Sequence, residues 1–355
     1  MATINIGNRA LTQSSSPYFI ADIGANHDGD LQRACKLIEL AKESGAHAAK
    51  FQNFKAGTIV SKEGFENLQV SHQKNWKKSV FEVYEDASIP DEWTHKLKEK
   101  CEEYEIDYFT SPYDIQSVDL VDPFVDVYKI GSGDITWIEI LHYIGQKGKP
   151  VLLATGASTL EDVERAMKVL ESENSNIALM QCNTNYTGLD SNFNYVNLNV
   201  LDTFRSKFPN VILGLSDHTP GHATVLGAIA KGAVFIEKHF TDNNERQGPD
   251  HSFAMNPTTW REMVDRSNEL WRALGDGVKR VEENELETVS LQRRGLRYIR
   301  DMHQGEEVKV SDLIALRPIE KNGIEPYNIH KVIGKKIQCD KKSDLPTNYS
   351  DFGDE

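Results

Sequence analysis

At 355 residues the chain exceeds what one compact domain needs, and its 39% apolar and 26% charged residues suit a globular protein with a sizeable core rather than a disordered one. A formal charge of −14 excludes indiscriminate binding to nucleic acid or anionic membrane, which both need a cationic surface, so any phosphate must be gripped locally. Cys35, Cys101, Cys182 and Cys339 form no CxxC pair, the opening MATINIGNRA lacks the pattern of a signal peptide, and no run approaches the ~18 apolar residues of a membrane span; a reducing, cytoplasmic setting is expected.

The first apolar run, 18–24, passes through the turn GANHDGD into 31–44, where Leu31, Ala34, Leu37, Ile38 and Ala41 recur at helical spacing until Gly45 stops them. The second run, 48–52, precedes a long insertion over 54–90 that carries Trp76, Phe81 and Tyr84; insertions of this length serve as lids or substrate walls. A helix over 91–104 leads to the third run, 107–112, and further runs follow at 127–132, 151–156, 177–182, 211–218 and 235–241. Helices are predicted over 135–145, 159–170, 199–208, 220–231 and 257–274, and Thr159 with Asp162 forms a capping-box signature. Strand and helix alternate through three-quarters of the chain, which predicts an α/β fold: a closed eight-stranded parallel (β/α)8 TIM barrel with its chemistry where the strand C-termini converge. The barrel domain is expected over 1–275, an acidic connector or surface helix over 276–291, and a small β-rich domain over 292–355, with 348–355 loose.

Candidate site residues cluster at the strand ends. Alternation in GLSDHTPG and IEKHFTD turns Ser216 and His218, and Glu237 and His239, toward one side of neighbouring strands. His218 and His239 then read as a metal pair with open coordination positions, the alternative being hydrogen-bonded core histidines. His27 reads as a third ligand, a substrate contact or a structural turn residue. Lys50 and Lys129 lie inside apolar strands, where a lone ammonium is costly, so they point to a bound anion, phosphate above all, or to internal salt bridges with Glu237 or Asp134. Thr110, Ser111, Ser132 and Ser216 offer hydroxyl donors, and Gly131 and Gly133 allow close approach of the backbone. Asp22 and Asp134 supply carboxylates for proton transfer. Gln52, Asn183, Asn185 and Tyr186 read as hydroxyl contacts or loop caps, and GPDHSF brings Asp250 and His251 within reach of the mouth or forms a plain turn.

Taken in order, GANHDGD, AKFQ, FTSPYD, YKIGSGD, ATGAS, GLSDHTPG, IEKHFT and GPDH resemble the successive motifs of the sialic acid synthase family. QRRGLRYIRDMHQGEEV through LIALRPIEKNGI resembles the antifreeze-like (SAF) domain that follows the barrel there. The resemblance implies condensation of phosphoenolpyruvate with N-acetylmannosamine or a related amino sugar to a nine-carbon 2-keto acid and phosphate. It implies a divalent metal, Mn2+ before Mg2+ or Co2+, on His218 and His239, and phosphoenolpyruvate on Lys50, Thr110, Lys129, Ser132 and Ser216. Gln52, Asp134, Tyr186, Glu237 and Asp250 would line the sugar and metal site, Asp22 would assist catalysis, and Arg317 would reach the sugar in the partner subunit of a domain-swapped homodimer. Asp22 and Asp134 stand where the family has Glu, each about 1.5 Å shorter in reach. Ala154 replaces a serine, and Thr184 stands where Asn is common. N-acetylmannosamine, its 6-phosphate and the diacetamido-trideoxy hexoses leading to legionaminic and pseudaminic acids all fit; a barrel synthase for shorter sugar acids and a sugar-binding protein without catalysis are the rival readings.

Overall fold

The computed structural model describes residues 2–68 and 77–352, so Trp76 lies outside the described residues. The chain divides into two compact units, Met1–Gly275 and Asp276–Glu355.

The first unit begins with two short strands, β1 (Ile4–Ile6) and β2 (Arg9–Leu11), paired antiparallel. The barrel strands follow: β3 (Tyr18–Asp22), β4 (Ala48–Asn53), β5 (Asp107–Pro112), β6 (Tyr128–Ile130), β7 (Val151–Ala154), β8 (Ile177–Cys182), β9 (Ile212–Asp217) and β10 (Phe235–His239). They form one parallel eight-stranded sheet in the order β5-β4-β3-β10-β9-β8-β7-β6, and β5 and β6 pack side by side where the sheet closes. This is the TIM barrel expected from the alternation of strand and helix.

Period-two alternation sorts every strand between two cores. Phe19 and Ala21 of β3 face the helices, whereas Tyr18 and Ile20 face the barrel interior. The interior core also takes Phe109, Leu152, Met180, Ile212 and Phe235, together with Ile4, Ile6 and Leu11 of the terminal hairpin. The hairpin thus joins the lower interior core, where apolar packing excludes water. Above that layer the same inward rows turn polar, and there the site begins.

The helices are α1 (Leu31–Glu43), α2 (Ala56–Ile59), α3 (Lys62–Asn67), α4 (Val80–Ala87), α5 (Asp91–Glu103), α6 (Ile115–Val121), α7 (Ile138–Gln146), α8 (Leu160–Glu173), α9 (Val200–Lys207), α10 (Ala223–Ala230) and α11 (Pro257–Leu274). Asp30 caps α1 by accepting from Gln32 and Arg33 amides, and Thr159 and Asp162 form the full capping box at α8. Among its described residues the insertion after β4 carries α2, α3 and α4, with a Ser79–Glu82 capping box starting α4. Among the described residues no helix is long and apolar enough to cross a membrane.

The second unit holds α12 (Leu286–Gln292) and an antiparallel pair, β11 (Gly295–Tyr298) with β12 (Leu313–Leu316). Leu296, Tyr298, Met302, Val308, Leu313, Ile337 and Phe352 form its core. The expectation of a loose tail from Asn348 is corrected as far as Phe352. Asp351 is buried, accepts from the Tyr298 hydroxyl at 3.1 Å and pairs with Lys341, and Phe352 is buried beside it.

Candidate active site

The C-terminal ends of the barrel strands surround a cavity of about 380 Å³. Its floor is charged. Lys50 sits 2.7 Å from Asp22 and 3.4 Å from Glu237, and Lys129 lies 3.2 Å from the other oxygen of Glu237. All four are nearly inaccessible, Lys50 and Lys129 at 2% exposure each. Unpaired, either ammonium would carry a desolvation penalty of several kcal/mol; the carboxylates offset it, and an ammonium with three donors keeps some free for an anion. Burial pushes the Lys50 ammonium down, but Asp22 and Glu237 outweigh it and hold the group charged. Burial likewise pushes Asp22 up, and Lys50, His239 and Lys129 bring it below the usual carboxylate range. Both salt bridges and an anion site are therefore compatible with these lysines, and the bridges are present.

His218 and His239 face each other across β9 and β10 with ring centroids 5.4 Å apart. Tyr186 meets His218 edge-on at 4.5 Å, and Phe253 packs against His239 at 5.0 Å. His218 Nδ1 donates to the Asn183 carbonyl at 2.9 Å, which fixes its tautomer and leaves Nε2 with its lone pair. Burial, then His239, pushes the His218 imidazole down to about 3, so it stays neutral. His239 points Nε2 toward Asp22 at 3.6 Å, and its buried Nδ1 has no hydrogen-bond partner. A neutral imidazole oriented by a backbone carbonyl, beside a second with an unsatisfied nitrogen, is a donor set that fits a divalent ion. Among the described residues no group of three or more His, Cys, Asp or Glu side chains is positioned to hold a metal.

Most sequence-predicted residues come together. Asp22, Lys50, Gln52, Lys129, Ser132, Asp134, Tyr186, Ser216, His218, Glu237, His239 and Asp250 all line the cavity. Gln52 donates to Asp22 at 3.4 Å, and Asp250 accepts from the Ala25 amide at 3.1 Å. The Ser132 hydroxyl accepts from the Gly156 amide at 2.9 Å. Burial raises the Asp134 carboxyl to about 6.

Two expectations change, for Thr110 and His251, and the open reading of His27 resolves. Thr110 points away from the cavity and donates to Asn53 at 2.5 Å, in a buried chain that ends on Thr94. Ser111, named with it as a hydroxyl donor, does line the cavity, and its buried hydroxyl has no hydrogen-bond partner. Alternation with the inward Phe109 is the signal that separates the two. His27 takes the structural option: its Nδ1 accepts from the Gly29 amide at 3.0 Å, and its ring meets Trp93. His251 is fully buried between Thr241 at 2.7 Å and Asp28 at 2.9 Å, away from the mouth. Arg317 belongs to the second unit, where its Nε donates to the Gln292 carbonyl at 2.6 Å. The sequence reading also missed Phe54, Ile59, Val60, Phe65 and Val83 as individual lining residues of the insertion.

Comparison with known proteins places these features in company. Residues 37–279 match the model of the NeuB family. The N,N'-diacetyllegionaminic acid synthase of Legionella pneumophila is 34% identical over 91% of each chain. The pseudaminic acid synthase of Helicobacter pylori is 30% identical, covering 95% of this chain and 98% of its own. Among solved structures, the N-acetylneuraminic acid synthetase of Leptospira borgpetersenii superposes with a TM-score of 0.71 at 27% identity, over 81% of this chain and 95% of that one.

Proposed function

This chain belongs to the NeuB family, whose relatives make nonulosonic acids, and from that premise we propose that it condenses phosphoenolpyruvate with a 2-acylamino hexose to give a nine-carbon 2-keto acid and phosphate. The observation that carries the reading is the shared cavity: two buried lysines tied to Glu237 stand beside two facing histidines.

Lys50 and Lys129 hold the phosphate and carboxylate of phosphoenolpyruvate, with the hydroxyls of Ser111, Ser132 and Ser216 adding neutral donors. A divalent ion, Mn2+ in the first instance with Mg2+ or Co2+ as alternatives, would be held by His218 and His239 and would supply Lewis-acid polarisation of the sugar carbonyl. The methylene carbon of phosphoenolpyruvate then bonds to that carbonyl carbon, whose oxygen takes a proton; water adds to the cationic C2 that this leaves and gives up a proton, and the carbon–oxygen bond to phosphate breaks as the ketone forms. The lysines stabilise charge on both the bound and the departing phosphate. Asp22 and Asp134, which line the cavity, take and return protons, and Gln52, Tyr186 and Asp250 orient the sugar hydroxyls and acyl group. The second unit is proposed as the antifreeze-like domain of a swapped homodimer, bringing Arg317 to the partner's sugar.

Incubation with Mn2+, phosphoenolpyruvate and a panel of 2-acetamido hexoses is expected to release phosphate with at least one sugar. His218→Ala and His239→Ala should abolish release without unfolding the chain. Folded, metal-supplemented protein that releases phosphate with none of the sugars would end this reading, and full activity in either alanine variant would remove the metal assignment.

A further inference from the structure

The cavity has two chemically opposite sides. Its floor holds the ion-paired lysines and histidines, whereas the insertion after β4 contributes Phe54, Ile59, Val60, Phe65, Val83 and Ala87, with Tyr84 as its one polar-tipped side chain. Phe54 and Val60 are buried and the others half-buried, while Lys62, Glu63, Glu66, Glu82 and Glu85 of the same helices are exposed. The helices of the insertion therefore turn their apolar residues toward the cavity and their charges toward water. Phe54 is fixed between Tyr84, at 5.5 Å, and Tyr113, at 5.8 Å. Apolar surface facing a solvent-filled cavity is unfavourable until an apolar ligand group covers it.

Resting on the synthase reading, we infer that the acceptor's end distant from its carbonyl is apolar: the substrate is a 2-acylamino hexose that lacks the C6 hydroxyl, and the insertion is its specificity wall. The reacting carbonyl carbon must lie at the strand ends, beside the lysines and histidines. An open-chain hexose held there runs away from the floor, so its C5–C6 end meets the wall. The two lysines that line the cavity are already engaged with Asp22 and Glu237 on the floor. In the adjoining cavity Lys77 meets Gln247 at 3.0 Å and Lys78 meets Asp86 at 2.6 Å, so among the described residues of both cavities each lysine has a partner before any 6-phosphate arrives. A methyl group releases water from the wall; a hydroxymethyl against Phe54, Ile59, Val60, Phe65 and Val83 loses hydration that these side chains cannot replace.

The test compares N-acetylmannosamine, its 6-deoxy analogue and its 6-phosphate, by calorimetric binding and by phosphate release. The 6-deoxy sugar is expected to lead N-acetylmannosamine by about 10- to 100-fold in affinity and in kcat/KM, the range in which an apolar pocket rejects an added hydroxyl. The 6-phosphate should trail both. Val83→Thr and Val60→Thr should each narrow the ratio several-fold at unchanged melting temperature. Equal use of the two neutral sugars, or preference for the 6-phosphate, overturns the wall and leaves the synthase reading intact. Preferential binding of the 6-deoxy sugar with no phosphate released from any acceptor does the reverse.

Discussion

Ser111 and Thr110 are neighbours on one strand with opposite tasks, and their substitutions should separate cleanly. Thr110→Val breaks a buried hydrogen-bond chain to Asn53 and is expected to lower stability by about 1–3 kcal/mol while leaving the KM for phosphoenolpyruvate alone. Ser111→Ala removes a donor facing the anion and should raise that KM about tenfold at nearly unchanged stability. Denaturation curves and initial rates measure both; the opposite pattern would return the anion contact to Thr110. Asp134 carries a different signature. Its carboxyl is raised by burial to about 6 in the folded chain, so the folded state binds this proton more tightly than the unfolded one. The resulting stability is whole below about pH 4 and lost as pH rises through the folded value. Asp134→Asn, which cannot ionise, should therefore melt higher than the parent at pH 8 and show little difference at pH 4. An equal gain at both would place the effect in packing rather than ionisation.

Among elements, β9 and β10 set the histidine spacing from behind. Asp217 and Lys238 are register partners on the outward face, between the inward pairs Ser216/His218 and Glu237/His239. They form a fully buried ion pair, with Asp217 also accepting from Thr224 at 2.7 Å and Lys238 donating to the Thr219 carbonyl at 2.6 Å. Lys238→Met strands a buried carboxylate and should cost about 3–5 kcal/mol, and adding Asp217→Asn should return much of it. A double-mutant cycle by chemical denaturation gives the coupling; additive losses would mean that the pair carries no strut. This face also shows what was legible in the sequence. Period two in SDH and EKH put the acting residues inward because each strand end alternates over five or more residues. Thr110 was assigned by residue type and by the resemblance, and the same rule, applied in register against Phe109, turns it outward. Strands β1 and β2, three residues each, and helix α6, seven residues, are too short to show a period, and their places come from tertiary packing. The insertion was legible as a wall, but its inward residues depend on helix ends set by Ser61 and Ser79 caps, whose orientation a linear sequence does not carry.

At the scale of the whole molecule, the change from strand–helix alternation to short strands marked a second unit, yet nothing in one chain's sequence says which barrel that unit serves. α11 ends on Gly275 at φ +63°, in the left-handed region that glycine adopts freely, and the second unit exposes Val278, Val281, Leu286, Leu291, Ile314 and Tyr327. If the proposed swap holds, Arg317 completes the partner's site and not its own. Arg317→Ala and His218→Ala are each expected to be inactive as homodimers, for different reasons. Dissociated and reassociated together, half of the dimers carry one barrel with intact histidines that faces an intact Arg317. Phosphate release should then recover to about a quarter of the parent level, the statistical share of complete sites in a symmetric swapped dimer. Arg317 acting within its own chain leaves both barrels of every mixed dimer defective, and mixing restores nothing. A monomer at assay concentration by sedimentation, with Arg317→Ala still impaired, would equally rule out exchange between subunits.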